Sequence, residues 1–408
     1  MTDGSGVRLS AVANPNSTRT ALTYDPLSRL TQLVNYGRGD TIDSQFSYTY
    51  DRLGNKATAT DKDGVVTAYT YDALNHLTRV ARSGSTGALD QFDFAYDAGG
   101  NRVRQTVGRM AQNQWSTTTT DYTYDAADRM LTAGGESFQY DRNGNLLNKA
   151  QLGVTKASYR YDYDNRLVQA DDVRYSYDAL GRRIARSAGN ASTFFVFDGQ
   201  RPLLEIDGAS GKSEEYISDA SGRLIAKLFL PPPTNQDTVG RYYEYDGLGS
   251  VVGMTNQQGN QVTNYRYEAF GSTAEESGNQ GNDLKYLGQY LDSATGLYYM
   301  NARWYDAQTG RFLSADPLPG NPFQSGSTNR YACALNNPIT YEDISGLSAR
   351  SIGDFFSDLA FALAVLVLII IVLIIIILIA ALLASLLGGG GALALAGGGM
   401  LGGGRPKR

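Results

Sequence analysis

The sequence is poor in the side chains on which most metal and hydrolytic sites depend. Its 408 residues contain one histidine, one cysteine and two tryptophans. His76 alone supplies too few ligands for a zinc site. Cys333 has no second cysteine with which to form a disulfide, and its apolar surroundings in the sequence predict a buried structural thiol. These counts argue against metalloenzymes and against Ser-His-Asp chemistry, and we expect neither a metal nor a cofactor.

The sequence also lacks a basic block and an N-terminal apolar run. The formal net charge is −5. Four basic and two acidic side chains follow Leu347, which leaves −7 on residues 1–347. An acidic body is a poor binder of nucleic acid, so no nucleic-acid partner is expected. The first residues have no apolar segment typical of a signal peptide and read like the middle of a repeat array, as in the C-terminal piece of a longer protein.

The sequence is instead rich in glycine and tyrosine, with 46 and 28 residues, and the tyrosines mark a repeat. A Tyr-Asp pair recurs at intervals of 16 to 28 residues. Three positions after most of the aspartates comes a Gly, Ser, Asp or Asn, then a basic or amide residue and an aliphatic one. The eight pairs are Tyr24-Asp25, Tyr50-Asp51, Tyr71-Asp72, Tyr96-Asp97, Tyr124-Asp125, Tyr140-Asp141, Tyr161-Asp162 and Tyr177-Asp178, with Phe197-Asp198 as a variant.

Each repeat has the pattern of a β-hairpin. Aromatic residues and threonine alternate with their neighbours ahead of a pair, as in Phe46-Ser47-Tyr48-Thr49-Tyr50, and this period of two is typical of a strand. The Asp-x-x-Gly stretch favours a turn, because Asp can bond its own backbone and Gly accepts a positive φ. One hairpin cannot bury its own apolar face, whereas stacked hairpins can do so as a long, twisted sheet. The sequence therefore predicts a mainly β fold.

The repeat Tyr-Asp-x-x-Gly-Arg-Leu resembles the YD repeat of bacterial RHS proteins, of the C components of insecticidal toxin complexes and of teneurins. This resemblance covers nearly all of residues 20–347 and implies YD hairpins wound into a coiled β-sheet shell, a hollow β-cocoon. A generic β-solenoid with Tyr-rich strands is the alternative interpretation of the repeats. We expect residues 1–19 to be a repeat remnant or a disordered start, and residues 20–285 to form the shell.

Residues 286–347 resemble the RHS repeat-associated core, which ends the shell in that family. The segments that carry the resemblance are Tyr286-Leu287-Gly288-Gln289-Tyr290, 295–306, 310–317, Asn336-Asn337-Pro338 and Asp343-Ile344-Ser345-Gly346-Leu347. The resemblance implies self-cleavage at the end of the last segment, between Leu347 and Ser348. Carried over by motif position, the catalytic residues are Asp316, Asp343 and Arg303. Arg311 is a nearby alternative for the role of Arg303.

The chemistry of two carboxyl groups beside an arginine suits a single-turnover, aspartic-type cut. Two neighbouring carboxyls cannot both ionise cheaply, so one can activate water while the other donates a proton to the scissile carbonyl. An arginine can hold one carboxylate ionised, and the tethered substrate needs no separate binding step. The alternative is that Asp316 and Asp343 are ordinary turn aspartates. The sequence departs from the family at Ile344, where the family prefers Pro, and this departure favours a slow or inactive site.

The chain changes character after Leu347. Residues 348–358 are predicted to be a linker, and the run from Leu359 to Leu387 contains 29 residues with Ser385 as its one polar side chain. As a helix this run would be about 43 Å long, more than the ~30 Å hydrocarbon core of a bilayer, so it predicts a transmembrane α-helix that contacts membrane lipid. Residues 388–408 form a Gly-rich basic tail. Its cationic residues favour a cytoplasmic C terminus and an extracytoplasmic body, namely Arg405, Lys407 and Arg408.

Two functions from different classes fit these features. The first is a polymorphic-toxin shell protein that cleaves itself after Leu347 and releases or presents a membrane-active C-terminal segment. Its expected partners are the rest of an RHS shell or a cap protein, an immunity protein, and a carbohydrate or protein ligand. The alternative is a membrane-anchored YD-repeat adhesion protein without proteolytic activity. The predicted location is the membrane, or outside the cell after export by a non-classical route.

Overall fold

The computed structural model describes residues 9–199, 201–219, 223–232, 239–278, 281–320, 325–347 and 349–351. The chain divides into two units, Met1–Ile352 and Gly353–Arg408, and all described residues belong to the first. Within them, no helix combines the length and apolar character that a membrane span requires. The predicted transmembrane helix at 359–387 and the basic tail at 388–408 lie outside the described residues.

The described residues form one 25-stranded antiparallel sheet in which each strand pairs with its neighbours in sequence. Its first strands are β1 Ala11–Ala13, β2 Arg19–Tyr24, β3 Leu30–Tyr36, β4 Ile42–Tyr50, β5 Lys56–Asp61, β6 Val66–Tyr71, β7 Leu77–Gly84, β8 Gly87–Tyr96, β9 Arg102–Ala111, β10 Gln114–Tyr124, β11 Met130–Ala133 and β12 Glu136–Tyr140. They continue as β13 Leu146–Gln151, β14 Val154–Tyr161, β15 Leu167–Ala170, β16 Val173–Tyr177, β17 Arg183–Ala188, β18 Ala191–Asp198, β19 Arg201–Asp207, β20 Ser213–Ser218, β21 Leu224–Leu230, β22 Gly240–Tyr245, β23 Val251–Thr255, β24 Gln261–Tyr267 and β25 Thr273–Ser277. We call β1–β25 the wall.

Each Tyr-Asp pair begins a turn that the aspartate closes with its own side chain. Oδ1 of Asp51 accepts the backbone N–H groups of Leu53 and Asn55, both at 2.9 Å. Its Oδ2 accepts the side-chain amide of Asn55 at 3.0 Å. Gly54 has a φ of +89°, in the left-handed region that glycine adopts at little cost. The equivalent position of the other seven pairs also has a positive φ, and is occupied by Ser28, Asn75, Gly100, Asp128, Gly144, Asn165 and Gly181.

In most repeats the hydroxyl of the tyrosine bonds to the repeat before it. The hydroxyl of Tyr50 donates to the carbonyl of Leu30 at 2.6 Å, and that of Tyr96 to the carbonyl of Leu77 at 2.9 Å. A phenol packed inside a sheet needs such an acceptor. The same bond recurs at Tyr71–Lys56, Tyr124–Arg102, Tyr177–Leu167, Tyr245–Leu224 and Tyr267–Val251. The Tyr-Asp pair is therefore a structural unit that makes one turn and bonds it to the preceding repeat.

The sheet winds until its late strands meet its early ones. The side chain of Asn16 donates to Thr255 Oγ1 at 3.0 Å, and that of Asn35 to the carbonyl of Tyr245 at 2.9 Å. The N–H of Gly247 donates to the hydroxyl of Tyr48 at 3.0 Å. We call this contact between the segment Asn16–Tyr50 and the segment Gly240–Gly259 the seam. Together with the mainly β composition, it confirms the coiled-sheet shell that the repeats predict.

Residues 286–347, the core segment, add a four-stranded and a two-stranded sheet. Their strands are β26 Tyr290–Asp292, β27 Leu297–Met300, β28 Arg303–Asp306, β29 Arg311–Phe312, β30 Tyr341–Glu342 and β31 Arg350–Ser351, with 3-10 turns at Tyr286–Gly288, Ser325–Thr328 and Ala334–Asn336. One hydrophobic cluster joins wall and core, and the rings of Tyr175 and Trp304 lie 4.4 Å apart within it. Arg186 of β17 binds Asp292 of β26 through two nitrogens, at 2.7 and 2.9 Å.

Three wall residues carry a positive charge where the repeat has an aliphatic residue. Lys56, Arg102 and Arg183 are each 6% exposed or less. Aromatic rings of the wall or the core segment cover their charged groups at 4.7, 4.9 and 4.0 Å, and these rings belong to Tyr48, Phe270 and Tyr290 respectively. Burial lowers the pKa of Lys56 to about 8. Ring faces stabilise cations, so aromatic rings surround these charges at positions where the repeat otherwise has an aliphatic side chain.

Two short strands lie within segments that the sequence predicts to flank the shell and the core segment. Ala11–Ala13 lies within residues 1–19, the predicted repeat remnant or disordered start, and pairs with β2 as the first strand of the wall. Arg350–Ser351 lies within the predicted linker 348–358 and pairs antiparallel with Tyr341–Glu342. Both strands have three residues or fewer, and such short strands carry no readable alternation.

A carboxyl pair lies at the seam. The carboxyl groups of Asp43 of β4 and Glu244 of β22 interact, and Glu244 is 4% exposed. The amide of Gln261 donates to Glu244 at 3.0 Å, and Lys62 is the nearby cation. Burial, reinforced by the charge of Asp43, raises the pKa of Glu244 to about 8. Burial also raises the pKa of Asp43. The pair therefore retains a proton at neutral pH.

Replacing Glu244 by Gln is expected to reduce the loss of stability at alkaline pH. A glutamate with a raised pKa in the folded state stabilises it fully below the unfolded pKa, and this contribution is lost as pH rises toward 8. Between pH 6 and pH 9 the free energy of unfolding of the wild type should therefore fall by about 2 kcal/mol more than that of Glu244→Gln, since Gln cannot ionise. Urea unfolding at both pH values measures this difference. Equal losses in the two proteins would show that the pair holds no proton.

Candidate active site

The structure brings the three predicted catalytic residues together. Arg303 is the first residue of β28, Asp316 follows β29, and Asp343 follows β30. Nη2 of Arg303 lies 2.8 Å from Oδ2 of Asp316 and 3.4 Å from Oδ2 of Asp343. One guanidinium nitrogen thus contacts both carboxyl groups, which the sequence places 27 residues apart.

A second arginine fixes the loop that carries Asp316. The N–H of Asp316 donates to the carbonyl of Arg330 at 2.9 Å, and Nε of Arg330 donates to the carbonyl of Asp316 at 2.7 Å. Nη1 of Arg303 donates to the carbonyl of Arg330 at 2.9 Å. Sequence reasoning missed Arg330, because neither its neighbours nor its spacing gave a signal.

The site is deeply buried. The side chains of Arg303 and Asp343 are each 3% exposed, and that of Asp316 is 15% exposed. The guanidinium of Arg303 lies 3.6 Å from the centre of the Phe312 ring. Burial lowers the pKa of Arg303, and the two carboxyl groups oppose that shift. Because a guanidinium keeps its proton in proteins, a fixed cation lies between two acids in a low-dielectric site.

The predicted cleavage motif folds as a turn against Arg303. The N–H of Gly346 donates to the carbonyl of Asp343 at 3.3 Å, which closes a four-residue turn with Ile344 at its second position. Gly346 has a φ of +68°, and a Cβ there would collide with the carbonyl oxygen of Met300. Nε of Arg303 donates to the carbonyl of Gly346. Gly346, the residue before Leu347, is therefore bound by the same guanidinium that contacts the carboxyl pair.

The predicted scissile bond lies at the edge of the described residues. The N–H of Leu347 donates to Oγ of Ser345 at 3.2 Å. Ser348 is outside the described residues. Strands β30 and β31 pair on either side, with Glu342 opposite Arg350. Leu347 consequently lies in the connection between these two short strands.

Arg311, the alternative to Arg303, has a different position. Its guanidinium donates to the side chain of Asn101 at 3.1 Å, to the carbonyl of Asp128, and to Asn329 at 3.4 Å. Asn101 and Asp128 belong to turns of the wall. Arg311 thus connects the core segment to the wall and leaves Arg303 between the two carboxyl groups.

Cys333 is buried, as its sequence surroundings predict, with 1% of its surface exposed. Burial raises the pKa of its thiol, and the negative charge of Asp343 raises it further. A thiol in such surroundings stays protonated at neutral pH and is a weak nucleophile.

Comparison with known proteins agrees with this fold. Residues 23–339 match the family model of the teneurin YD-shell. The chain belongs to the teneurin YD-shell family. Its relatives include RHS-type toxins, so the recognition of RHS and YD repeats from the sequence is confirmed.

Two curated relatives illustrate the range of this family. The tRNA nuclease WapA of Bacillus subtilis (strain 168) is 28% identical over 334 residues, which make up 78% of this chain and 11% of WapA. The double-stranded DNA deaminase toxin A of Burkholderia cenocepacia (strain H111) is 28% identical over 357 residues, or 81% of this chain and 21% of the toxin. The chain thus spans about a tenth to a fifth of the length of these relatives.

A solved structure confirms the architecture. The crystal structure of TcdB2-TccC3-Cdc42 superposes with a TM-score of 0.65 at 20% sequence identity, over 87% of this chain and 19% of that chain. At this identity the likeness establishes the shared fold alone.

Proposed function

We propose that this chain is the shell and core of a polymorphic-toxin RHS protein that cuts itself after Leu347 and presents a membrane-active C-terminal segment. One observation supports the cut above all others. Asp316 and Asp343 both contact the buried Arg303, which also binds the backbone of the motif at Gly346. Turn aspartates without a shared role have no physical reason to converge in this way.

The proposed reaction is one hydrolysis of the bond between Leu347 and Ser348. Asp316, which has the shorter ion pair with Arg303 and the greater exposure, takes a proton from the attacking water. Asp343 is the more deeply buried acid and donates a proton toward the carbonyl of Leu347. The C–N bond then breaks, the amine of Ser348 leaves with a proton, and Leu347 keeps a new carboxylate. Arg303 holds both acids beside the tethered motif.

The proposed effector is the segment after the cut. Twenty-two of its 29 residues between 359 and 387 are Leu, Ile, Val or Phe, which gives it a strong preference for a bilayer. Several relatives are named as toxins, among them the toxin protein Tse5 of Pseudomonas aeruginosa. We propose that further shell segments or a cap subunit close the wall, since the solved TcdB2-TccC3 chains are about five times longer than the matched part. An immunity protein and a carbohydrate or protein ligand remain proposals of the same kind.

Denaturing electrophoresis and mass spectrometry of the purified chain test the cut. We expect two fragments, one that ends at Leu347 and one that begins at Ser348. Asp316→Asn and Asp343→Asn each remove one acid with little change in shape, and should slow the cut by a factor of at least about 100. Asp178→Asn, in a wall turn, is the matched control and should be cut like the wild type. A wild-type chain that stays intact contradicts the proposal.

The alternative function is a membrane-anchored adhesion protein that is never cut. Ile344 in place of Pro and the pairing of β30 with β31 across the predicted bond favour this alternative. By the positive-inside rule, the C-terminal basic residues would then be cytoplasmic and the body extracytoplasmic. Carbonate washing of membranes separates the two functions. If the protein is a membrane anchor, the body stays with the membrane fraction after the wash. If the chain is cut, only the C-terminal segment stays there.

A further inference from the structure

Three successive carbonyl groups of the cleavage motif are bound by three successive residues, Asn301 to Arg303. The first two form the connection between β27 and β28, where Met300 pairs with Arg303, and the third begins β28. The bonds run in order along both chains, from Asn301 Nδ2 to Ile344 O at 2.9 Å, from Ala302 N to Ser345 O at 3.2 Å, and from Arg303 Nε to Gly346 O. Each of these three residues thus binds one backbone carbonyl of the motif.

This binding holds the peptide unit just before the predicted scissile bond. Arg303 holds the carbonyl of Gly346, and Oγ of Ser345 accepts the N–H of Leu347 at 3.2 Å. A peptide unit is planar, so bonds at its two ends fix the position of the Leu347 Cα. The carbonyl of Leu347 is the first group after this fixed unit, and its position depends only on the φ and ψ of Leu347.

Of the three donors, the side chain of Asn301 is the one that a substitution can remove without affecting the main chain or the carboxyl groups. The Ala302 bond uses the main chain, and Arg303 also contacts the carboxyl groups. Asn301 has a φ of +53°, a left-handed conformation that Asn and Gly tolerate better than other residues. Its amide reaches the carbonyl of Ile344, the residue that stands where the family prefers Pro.

Ile344 occupies the second position of the turn Asp343–Gly346, where proline is favoured. A proline there would restrict the backbone through its ring. Its missing N–H would cost nothing, since that N–H makes no hydrogen bond within the described residues. In this chain, the amide of Asn301 restricts the same residue from outside.

We propose that Asn301 is a positioning residue that holds the backbone of the cleavage motif and supplies the restraint that a proline at position 344 would give. This inference rests on the proposed self-cleavage. It predicts that a proline at position 344 compensates for the loss of the Asn301 side chain. Two residues with unrelated structural roles would show no such compensation.

The rate of self-cleavage in four chains tests this substitution. Asn301→Gly keeps the left-handed backbone and removes the amide, and it should slow the first-order cut about tenfold. Ile344→Pro alone should change the rate less than about threefold. The double variant should recover to within about threefold of the wild type. Asn113→Gly is the matched control, because Asn113 also has a positive φ, of +59°, in the distant loop between β9 and β10. An unchanged rate in Asn301→Gly, or no recovery in the double variant, overturns the inference while the proposed function stands.

Hydrogen exchange tests the same restraint without requiring a cut. In the Asp316→Asn background, which is expected to stay intact, Asn301→Gly should speed amide exchange of Ser345 to Leu347 about tenfold. Adding Ile344→Pro should restore the slow exchange. Unchanged exchange in Asn301→Gly would refute the role of Asn301 even if the wild-type chain is never cut. An uncut wild type with the expected exchange pattern would instead refute the proposed function alone.

Discussion

Replacing Arg303 by Met is expected to destabilise the protein by about 3–5 kcal/mol and to abolish self-cleavage. Methionine fills much of the same space but removes the cation that lies 2.8 Å from Asp316 and 3.4 Å from Asp343. It also removes the donor to the carbonyls of Gly346 and Arg330. Two acids would then be left in a buried site without their cation. Urea unfolding at pH 7 measures the loss.

Two further variants separate charge from geometry at this site. Arg303→Lys keeps the positive charge but presents one compact ammonium instead of a planar guanidinium. It should therefore be more stable than Arg303→Met, but it should not cleave itself. Adding Asp316→Asn and Asp343→Asn to Arg303→Met removes the uncompensated acids and should also regain stability. If Arg303→Met unfolded at the same urea concentration as the wild type, the claim that Arg303 stabilises the two buried acids would be contradicted.

Replacing Lys149 by Met is expected to cost about 3–5 kcal/mol of stability without a direct effect on the reacting groups. Nζ of Lys149 in β13 lies 2.5 Å from Oδ2 of Asp306 in β28, and the two side chains are 14% and 4% exposed. Burial alone would raise the pKa of Asp306, but the charge of Lys149 and the hydrogen bonds from Lys149, Thr309 and Gln308 together lower that pKa. The ion pair joins the wall to the core segment, and its loss leaves a carboxylate buried alone.

The pH dependence of the Lys149 variant provides the check. A carboxyl with a lowered folded pKa stabilises the protein above its unfolded pKa, and this contribution is lost as pH falls through the lower, folded value. The wild type should therefore lose this contribution below about pH 4, and Lys149→Met should lack it at pH 7. The double variant Lys149→Met/Asp306→Asn should be more stable than Lys149→Met. A Lys149→Met protein as stable as the wild type at pH 7 would refute this account.

The turns of the wall could be predicted because each one is local. The aspartate, the residue with positive φ and the side chain that binds the carboxylate all fall within five residues, as in Asp51 to Asn55. The tyrosine bonds could not be predicted. Their acceptors lie 10 to 22 residues upstream, as in Tyr177–Leu167 and Tyr124–Arg102, and no fixed spacing marks them.

The candidate site was predictable only through a family resemblance. In the sequence, Asp316 and Asp343 look like the many other turn aspartates, and their shared contact with Arg303 exists only after β28, β29 and β30 assemble. Asn301 gave no signal, because its acceptor is a backbone carbonyl that any residue at position 344 would offer. Arg183 also gave no signal in the sequence. It occupies a position that is aliphatic in most repeats, and its aromatic partners come from distant strands.

The seam determines when the wall can be completed during synthesis. The backbone pairing of the described wall strands joins sequence neighbours, so hairpins can form one by one as the chain leaves the ribosome. The bond between Asn16 and Thr255 spans 239 positions and must wait for β23. Contacts of such separation carry the largest loop-closure entropy and form slowly. Until then the polar side chains of Asn16–Tyr50 that form the seam remain open to solvent and to other nascent chains, so this segment of a partly made molecule is exposed to wrong association.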